Sequence, residues 1–558
     1  MSRRLLIAPL VTALVTAMCA ALGLVAAPAQ AATWPAPVEV AGAQPSFSYR
    51  YDPQTVVTPD GTTVASWADT GALNSVMVAE HPTGGAWSTP VPVAPASVWG
   101  NRLAVGPDGT LAIVYQNIVA GKLVIGAVVR PAGGSWTAPT TLSDPTKSSN
   151  SPQVAVGAGE VTAAWVQDSG AASQVLVNSR PVGAAGTWGA TPTTFTDAGV
   201  SGPDVAAGPA GTLVTWVLSS DPADSYAAST VRASFHGTTG SWSAPVSLSE
   251  TGRRVTLAHA AVGADGTLAA AWESRLPTTA GYYTSARVIA AVQPPGGTWG
   301  EQALLSDPDI EGRGPNVGVG PDGTTTVVWE SYDGASKKIA TRVRRGGSWA
   351  PQQDLTESVD SQSNPRLAIG PDGTAVVEFS DLANGIGVAI RPPGSAWRPT
   401  DFIAPTTKYD YYRAVAVGDS TVAVVWLDGL DYSVSAVVAD HLLPLPPLPP
   451  PPPAAAAETG AISGPAKVAK GKVASYSFTG TPASVTFQCR VDETRHQQTG
   501  AKGKQGKKPV PWRACQSPVE VKTKKLRTGQ HTLYVRAVLS GVPDPTPSTK
   551  PFKVSRSR

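Results

Sequence analysis

Histidine, cysteine and methionine are scarce: 6, 3 and 3 residues in a chain of 558. That leaves little material for a metal enzyme or a thiol enzyme. Charge is scarce too, at 15% of residues, which excludes a coiled coil, a helical bundle and a highly charged disordered chain. There is no Gly-x-Ser-x-Gly elbow, no His-Glu-x-x-His helix and no phosphate loop. Glycine and proline are plentiful instead, 56 and 52 residues, and the glycines show no period of three, so the chain is no collagen. Length alone suggests three or four domains, a prior that a repetitive chain overrides.

Residues 1–31 read as a secretory signal. Arg3 and Arg4 precede an apolar run from Leu5 to Ala27, and Ala29-Gln30-Ala31 fits a small-x-small cleavage site. The run is long enough for an uncleaved anchor, but its alanine content, Pro9 and the cleavage site favour removal. The arginine pair leaves the export route open. No later segment is apolar enough to span a membrane. The expected location is secreted or cell surface.

One phrase recurs: an apolar strand, a Gly-Pro-Asp-Gly-Thr turn, then an apolar strand ending in an aromatic. It stands at Val105–Tyr115, Val262–Trp272 (with Ala264 in place of the Pro), Val319–Trp329 and Ile369–Phe379, with looser copies at Val57–Trp67, Val156–Trp165, Ala207–Trp216 and Val417–Trp426. A second phrase, Gly-x-Trp before a short Pro-containing strand, has its Trp at 87, 136, 188, 242, 299, 349 and, with one residue more after the Gly, 397, with Trp34 an eighth copy lacking the Gly. The Trp intervals are 53, 49, 52, 54, 57, 50 and 48 residues. A period near 50 with about four short strands per unit marks a β-propeller. In one unit the strands are expected at Arg102–Val105, Thr110–Tyr115, Leu123–Arg130 and Trp136–Leu142. The chain opens on an orphan fourth strand at Trp34 and closes on an orphan three-strand set from Arg413 to about Ala439. The N-terminal strand is therefore expected to complete the last blade and close the ring. That gives eight blades over 33–441, with seven as the fallback.

The copies align on the Gly that starts each turn. Four residues before it lie Arg102, Gln153, Asp204, His259, Asn316 and Arg366, with Gln54 and Ala414 in the first and last units. Two residues before it the side chains are small: Val56, Ala104, Ala155, Ala206, Ala261, Gly318, Ala368 and Ala416. These two positions share a strand face. The small residues are expected to line a central channel and the polar ones its mouth. The other face, as in Leu103 and Val105, is expected to pack between blades.

Loops expected at the same mouth carry Tyr49, Tyr51, Trp99, Tyr409, Tyr411 and Tyr412, with Arg50, Arg102 and Arg413 among them. Acids follow most strand-ending aromatics: Asp69, Asp168, Asp221, Glu273, Glu330, Asp381 and Asp428. Aromatic faces near arginines and acids suit a glycan or an exposed loop of an extracellular protein. The candidate ligand-binding residues are thus Arg102, Asp204, His259, Arg366, Arg413, Tyr49, Tyr51, Trp99, Tyr411 and Tyr412; loop aromatics that only pack are the competing reading. The Pro-Asp-Gly turns offer one carboxylate each, too few for calcium, and no metal or cofactor is expected.

In broad layout, with three arginines (Arg102, Arg366, Arg413) at equivalent or adjacent ring positions, the ring resembles sialidase-type propellers. Their Ser-x-Asp-x-Gly-x-x-Trp box is not matched, and no Tyr–Glu nucleophile pair can be assigned. The resemblance implies a glycoside hydrolase as the alternative to a binding protein. Asp204, Glu273 and Glu330 are candidate members of the two facing carboxylates such an enzyme needs; His259 reads as a rim residue and not as a base. A structural envelope component without a ligand is a further alternative.

Leu442–Pro453 holds eight Pro in twelve residues, a stiff spacer of roughly 35–40 Å within a 442–458 linker. Beyond it come Phe487-Gln488-Cys489-Arg490-Val491-Asp492, Trp512 to Cys515, Ser517-Pro518, Gly529-Gln530-His531-Thr532-Leu533, Val535-Arg536-Ala537 and Asp544-Pro545-Thr546-Pro547. Over 459–558 this pattern resembles the Ig-like modules appended to bacterial secreted and surface proteins. The resemblance implies a β-sandwich and a Cys489–Cys515 disulfide, which suits an oxidising exterior. The stretch between the cysteines is enlarged by Thr494–Lys508. Residues 459–558 carry 19 Lys+Arg against 4 Asp+Glu, and residues 32–458 carry 22 against 36. The net charge of +3 hides this split. A basic tail suits an anionic cell-wall polymer, with a solvated basic face as the bland alternative. Without aromatic interleaving, sequence-specific nucleic-acid binding is not expected. The mature chain is expected to be a monomer.

Overall fold

The computed structural model describes residues 34–440 and 458–556. Loop positions 45–48, 72–73, 96–99, 169–172, 196–198, 225–226, 277–283, 358–364, 382, 406–411, 430, 482–484, 493, 500–503, 540–541 and 545 are excepted, as are the side chains of 494–509 and 542. The expected signal segment, nearly all of the linker, and Trp99, Tyr409 and Tyr411 lie outside the described residues. The chain divides into two compact units, Met1–Pro447 and Leu448–Arg558.

The first unit is all-β. Among the described residues it holds eight antiparallel sheets, each of four strands except the sixth, which has five. They follow one another along the chain. The first sheet pairs Arg50–Val57, Thr63–Asp69, Ser75–His81 and Val91–Pro95 in that order, and the second Arg102–Val105, Leu111–Val119, Lys122–Arg130 and Thr140–Thr141. The outer strand of the second sheet is thus shorter than the sequence suggests. Trp136 instead lies beneath the guanidinium of Arg130, 5.6 Å from ring centroid to Cζ. In the eighth sheet, Arg413–Val417, Val422–Leu427 and Val434–Ala439 are completed by Val38–Ala41 from the other end of the chain, antiparallel to Val434–Ala439. The pattern is that of a β-propeller.

Apolar alternation explains how the sheets stack. Each has a second strand buried on both faces, Thr63–Asp69 being buried at every position. That strand brings one aromatic to the gap between its own sheet and the one before. Trp165 packs with Val114 and Ile125 of the preceding sheet, and Trp272 with Leu213 and Val231. Trp67 of the first sheet packs with Val425 and Leu427 of the eighth, so the stacking closes. Closure is repeated at the innermost strands. A Cβ on Gly106 would fall 2.6 Å from Cγ1 of Val156, and one on Gly418 would fall 2.6 Å from Cγ1 of Val57. Glycine there lets neighbouring inner strands converge where the ring is narrowest.

The recurrent turn is held by its own aspartate. Oδ1 of Asp108 accepts from the Thr110 amide at 3.0 Å and Oδ2 from the Thr110 hydroxyl at 2.8 Å; Asp265, Asp322 and Asp372 repeat the arrangement. Burial would raise the Asp322 carboxyl, but the Thr324 bonds outweigh it and hold the group below the usual range. Both oxygens are committed to a hairpin whose Gly109 has φ +87°.

The second unit packs two layers. Its main sheet runs Lys467–Ala469, Ser548–Ser555, Gly529–Leu539, Thr486–Val491, Arg513–Cys515, with Lys467–Ala469 parallel to Ser548–Ser555. Val473–Tyr476 pairs Val519–Lys522 across from it. Tyr476, Phe478, Leu533, Val535 and Phe552 form the core between the layers. Cys489 and Cys515 are disulfide-bonded. The enlarged stretch between them is a hairpin, Thr494–Thr499 with Lys504–Pro509.

Candidate functional site

All eight aligned positions, four residues before the turn glycine or, in the first unit, before Thr58, meet around one basin of about 340 Å³. Its lining includes Gln54, Arg102, Gln153, Asp204, His259, Asn316, Arg366 and Ala414, with Asp52, Tyr412 and Arg413. The far end of the ring is different in character. A cavity of about 470 Å³ there is lined by Val57, Val105, Val156, Val262, Val319 and Val417 with the turn prolines. The aliphatic position expected to pack between sheets therefore also rims this far mouth.

The local device that aims the polar side chains is a β-bulge. The inner-strand register slips just before Gln54, Gln153, Asp204, His259 and Asn316. Two residues earlier the backbone is left-handed at Asp52, Ser151, Gly202, Leu257 and Gly314, φ +48° to +55°. A bulge puts an extra residue in one strand and bends it, so the next side chain is re-aimed. Leu257 holds this conformation although bulky and exposed, a strained choice for a non-glycine residue. Pro53, Pro152, Pro203 and Pro315 stand between the left-handed residue and the polar one. That proline is the sequence signal for the bulge.

The arginines differ in what they do. Arg413 is sealed into the basin floor, where its Nε donates to Oε1 of Glu378; side-chain exposures are 2% and 0%. Burial pushes the Glu378 carboxyl above the ordinary range, against the pull of Arg413 and Arg366. Arg102 donates to the Asn101 carbonyl at 2.8 Å and lies 3.8 Å from Asp52. Among the described residues no hydrogen bond or ion pair engages the side chain of Arg366, which is exposed to the basin. Surrounding protein lowers its pKa first of all; Glu378 and Asp52 oppose this, and Arg102 and Arg413 add to it. Arg50 is structural: it pairs with Asp69 at 3.1 Å and donates to the carbonyls of Ala41, Gly42 and Tyr432.

Asp204 and His259 are brought together, Nδ1 to Oδ2 3.4 Å. Asp204 also accepts from the amides of Val205 and Ala260, at 3.0 and 2.9 Å, tying the fourth sheet to the fifth. Glu273 and Glu330 do not line the basin. Glu273 accepts from the Gly314 amide and the Thr256 hydroxyl, and Glu330 lies 3.6 Å from Lys337. Among the described residues no group of three or more His, Cys, Asp or Glu could hold a metal ion.

Beside the basin stands a tyrosine wall. Tyr49 meets Tyr51 at 6.1 Å and Tyr432 edge-on at 5.1 Å, and Tyr51 meets Tyr412 edge-on at 6.3 Å. Burial, then Asp52 and Tyr432, raises the Tyr412 phenol above its usual value. Tyr432 comes from the loop after the second strand of the eighth sheet, where the repeat pattern points only to the acid Asp428. Glu378 is not among the expected site residues, although the column preceding each strand-ending aromatic reads Ser66, Val114, Ala164, Thr215, Ala271, Val328, Glu378, Val425 and holds only one acid.

No protein-family model and no curated protein matches the chain. Several solved structures do. The BP39L lectin of Burkholderia pseudomallei is 17% identical, aligning over 64% of this chain and 99% of its own with a TM-score of 0.42. A polysaccharide lyase, an ulvan lyase bound to a GlcA–Rha3S saccharide, is 11% identical over 72% of this chain and 94% of its own, TM-score 0.43. The α-L-arabinofuranosidase of Fusarium graminearum with an iminosugar inhibitor is 11% identical over 73% of this chain and 98% of its own, TM-score 0.37.

Proposed function

We propose that this is an exported, eight-bladed β-propeller with an Ig-like C-terminal module. Its polar mouth binds a glycan bearing an acidic group, and its basic module holds the protein to an anionic envelope polymer. The observation that carries the first part is Arg366: a guanidinium whose side chain makes no hydrogen bond or ion pair among the described residues, set between Glu378 and Asp52 on one hand and Arg102 and Arg413 on the other, in a basin edged by tyrosines. A carboxylate or sulfate would give this guanidinium a hydrogen-bonded counter-ion, and aromatic faces suit the apolar side of a sugar ring. Gln153 and Asn316, likewise unengaged among the described residues, add donors and acceptors for hydroxyls. The disulfide supports an oxidising location.

Screening the purified mature protein against paired acidic and neutral glycans tests this. Saturable binding of acidic members, lost in Arg366→Ala and weakened in Tyr412→Ala, is the expected result; equal binding by Arg366→Ala defeats it. The hydrolase reading keeps one supporting observation, the gathering of Arg102, Arg366 and Arg413 on one basin. Turnover of fluorogenic glycosides that disappears in Asp204→Asn would favour it.

A further inference from the structure

We propose that the outer face of the main sheet in the second unit, centred on Trp512, is the surface that binds a linear polyanionic wall polymer. The ligand would be a saccharide or polyol chain with phosphate or carboxylate at successive repeats. The proposal rests on the reading that the basic module contacts such a polymer, and it names where.

Strand register defines the face. Lys467, Lys553 and Gln530 lie opposite one another, then Thr549, Tyr534 and Arg490, then Arg536, Gln488 and Ala514. Phe552, Val535 and Cys489 alternate with them into the core. Trp512, two residues before Ala514, stands at the edge of this row. The guanidinium of Arg490 lies 4.5 Å from the Trp512 centroid and 5.1 Å from that of Tyr534, and Arg536 lies 4.4 Å from Trp512. Arg536 is fixed further by Gln488 Oε1, which accepts from Nε at 3.0 Å and Nη2 at 2.7 Å. A guanidinium stacked on an aromatic is held in place with little further entropy to lose, and its N–H groups lie in the plane, suited to oxyanions. The disulfide sits directly behind. Cys489 adjoins Arg490 and Cys515 follows Trp512 closely, so the covalent link ties the strand that carries Arg490 to the strand that Trp512 leads into.

Among the described residues the positions of this face named above include Lys467, Arg490, Arg536 and Lys553 and no acid. Asp492, the described acid near it, is occupied by His531 Nδ1 at 2.6 Å and the Thr532 amide at 2.9 Å. From the Lys553–Gln530 row to the Arg536 row is six residues along the strand, about 20 Å at strand rise. That length suits an extended polymer better than a single small anion. The exposed positions Thr549, Pro551 and Lys553 offer no large aliphatic side chain to insert into a bilayer.

The test uses the full mature chain with two probes at low salt, long-chain polyphosphate and polygalacturonate, and vesicles containing phosphatidylglycerol as a third arm. Wild type binding to at least one polymer, with Arg490→Gln/Arg536→Gln weakening it tenfold or more, is the expected outcome. Removal of three exposed charges elsewhere in the unit, Lys522→Gln/Lys524→Gln/Lys525→Gln, should weaken it less than threefold. Trp512→Ala should match the arginine pair; if it unfolds, the arginine pair carries the test. Equal weakening by both charge variants overturns the site and leaves the basic-module reading standing. Preference for vesicles over both polymers overturns the choice of ligand. Binding of no probe removes the parent reading, and this proposal with it.

Discussion

The carboxylate of Glu378, on the second strand of the seventh sheet, takes the guanidinium of Arg413, on the first strand of the eighth, and both side chains are withdrawn from solvent. The second oxygen, Oε2, is buried with no hydrogen-bond partner among the described residues. Breaking such a pair leaves an uncompensated buried charge, at a cost of about 3–5 kcal/mol. Glu378→Ala should lower unfolding stability by that order in denaturant titration, and Glu378→Gln by less.

The same pair has a pH signature. Burial raises Glu378 in the folded state, so the folded chain binds its proton more readily than the unfolded chain does. Its contribution is therefore fully present below the ordinary carboxylate value and is lost as pH rises through the raised one. Wild type should gain stability relative to Glu378→Gln as pH falls from 7 toward that ordinary value. Parallel pH dependences of the two proteins would contradict the assignment.

Arg366 carries the opposite expectation. It faces Glu378 across the strand pair, but Glu378 is taken by Arg413; burial first of all disfavours the Arg366 charge, Glu378 opposes this, and Arg102 and Arg413 add to it. Arg366→Ala should change stability by less than about 0.5 kcal/mol, the range for a surface substitution, while abolishing acidic-glycan binding. A residue needed for binding and not for folding is what a site predicts; loss of both together in thermal unfolding and titration would mark Arg366 as structural.

Repetition made much of this legible from the sequence. One column of eight residues, from Gln54 to Ala414, located the basin, because a ring places equivalent positions around one axis. The orphan strand near Trp34 foretold the pairing of Val38–Ala41 with Val434–Ala439. What escaped was partnership. Nothing in the periodicity says that Arg413 is buried, that Arg50 is spent on Asp69, or that Glu273 serves Gly314. Those commitments depend on which side chain of the next sheet comes within reach. The bulges were missed for a related reason: a one-residue slip is invisible to a period-two reading, although Pro53, Pro152, Pro203 and Pro315 mark it.

Two of the eight strand-ending aromatics are not tryptophan, and both lie over glycine. Tyr115 pairs with Gly126 and Phe379 with Gly387, where a Cβ would fall 2.5 Å from Cζ of Tyr115 and 2.4 Å from Cζ of Phe379. Beside the tryptophans, in contrast, stand Met77, Leu176, Arg232, Ile289, Ala340 and Ser435. The smaller ring folds down onto its neighbour strand and needs the missing side chain. Gly126→Ala should therefore cost about 1–3 kcal/mol by overpacking. Tyr115→Leu should relieve part of that, so the double variant is less destabilised than the sum. Additive values would mean that the ring and the glycine do not constrain each other.

The disulfide offers a separation of the two units in solution. Cys489–Cys515 closes a stretch of 26 residues within the second unit, worth about 3–4 kcal/mol in the chain-entropy account. Cys489→Ser/Cys515→Ser should lower the stability of that unit by this order. The propeller unit holds neither cysteine and has its own core between every pair of sheets, so its unfolding should not move. Calorimetry of the variant should show one transition shifted down and one unchanged. If both shift together, the units unfold as one cooperative body, and deleting residues 459–558 would destabilise the sheets that carry Arg366.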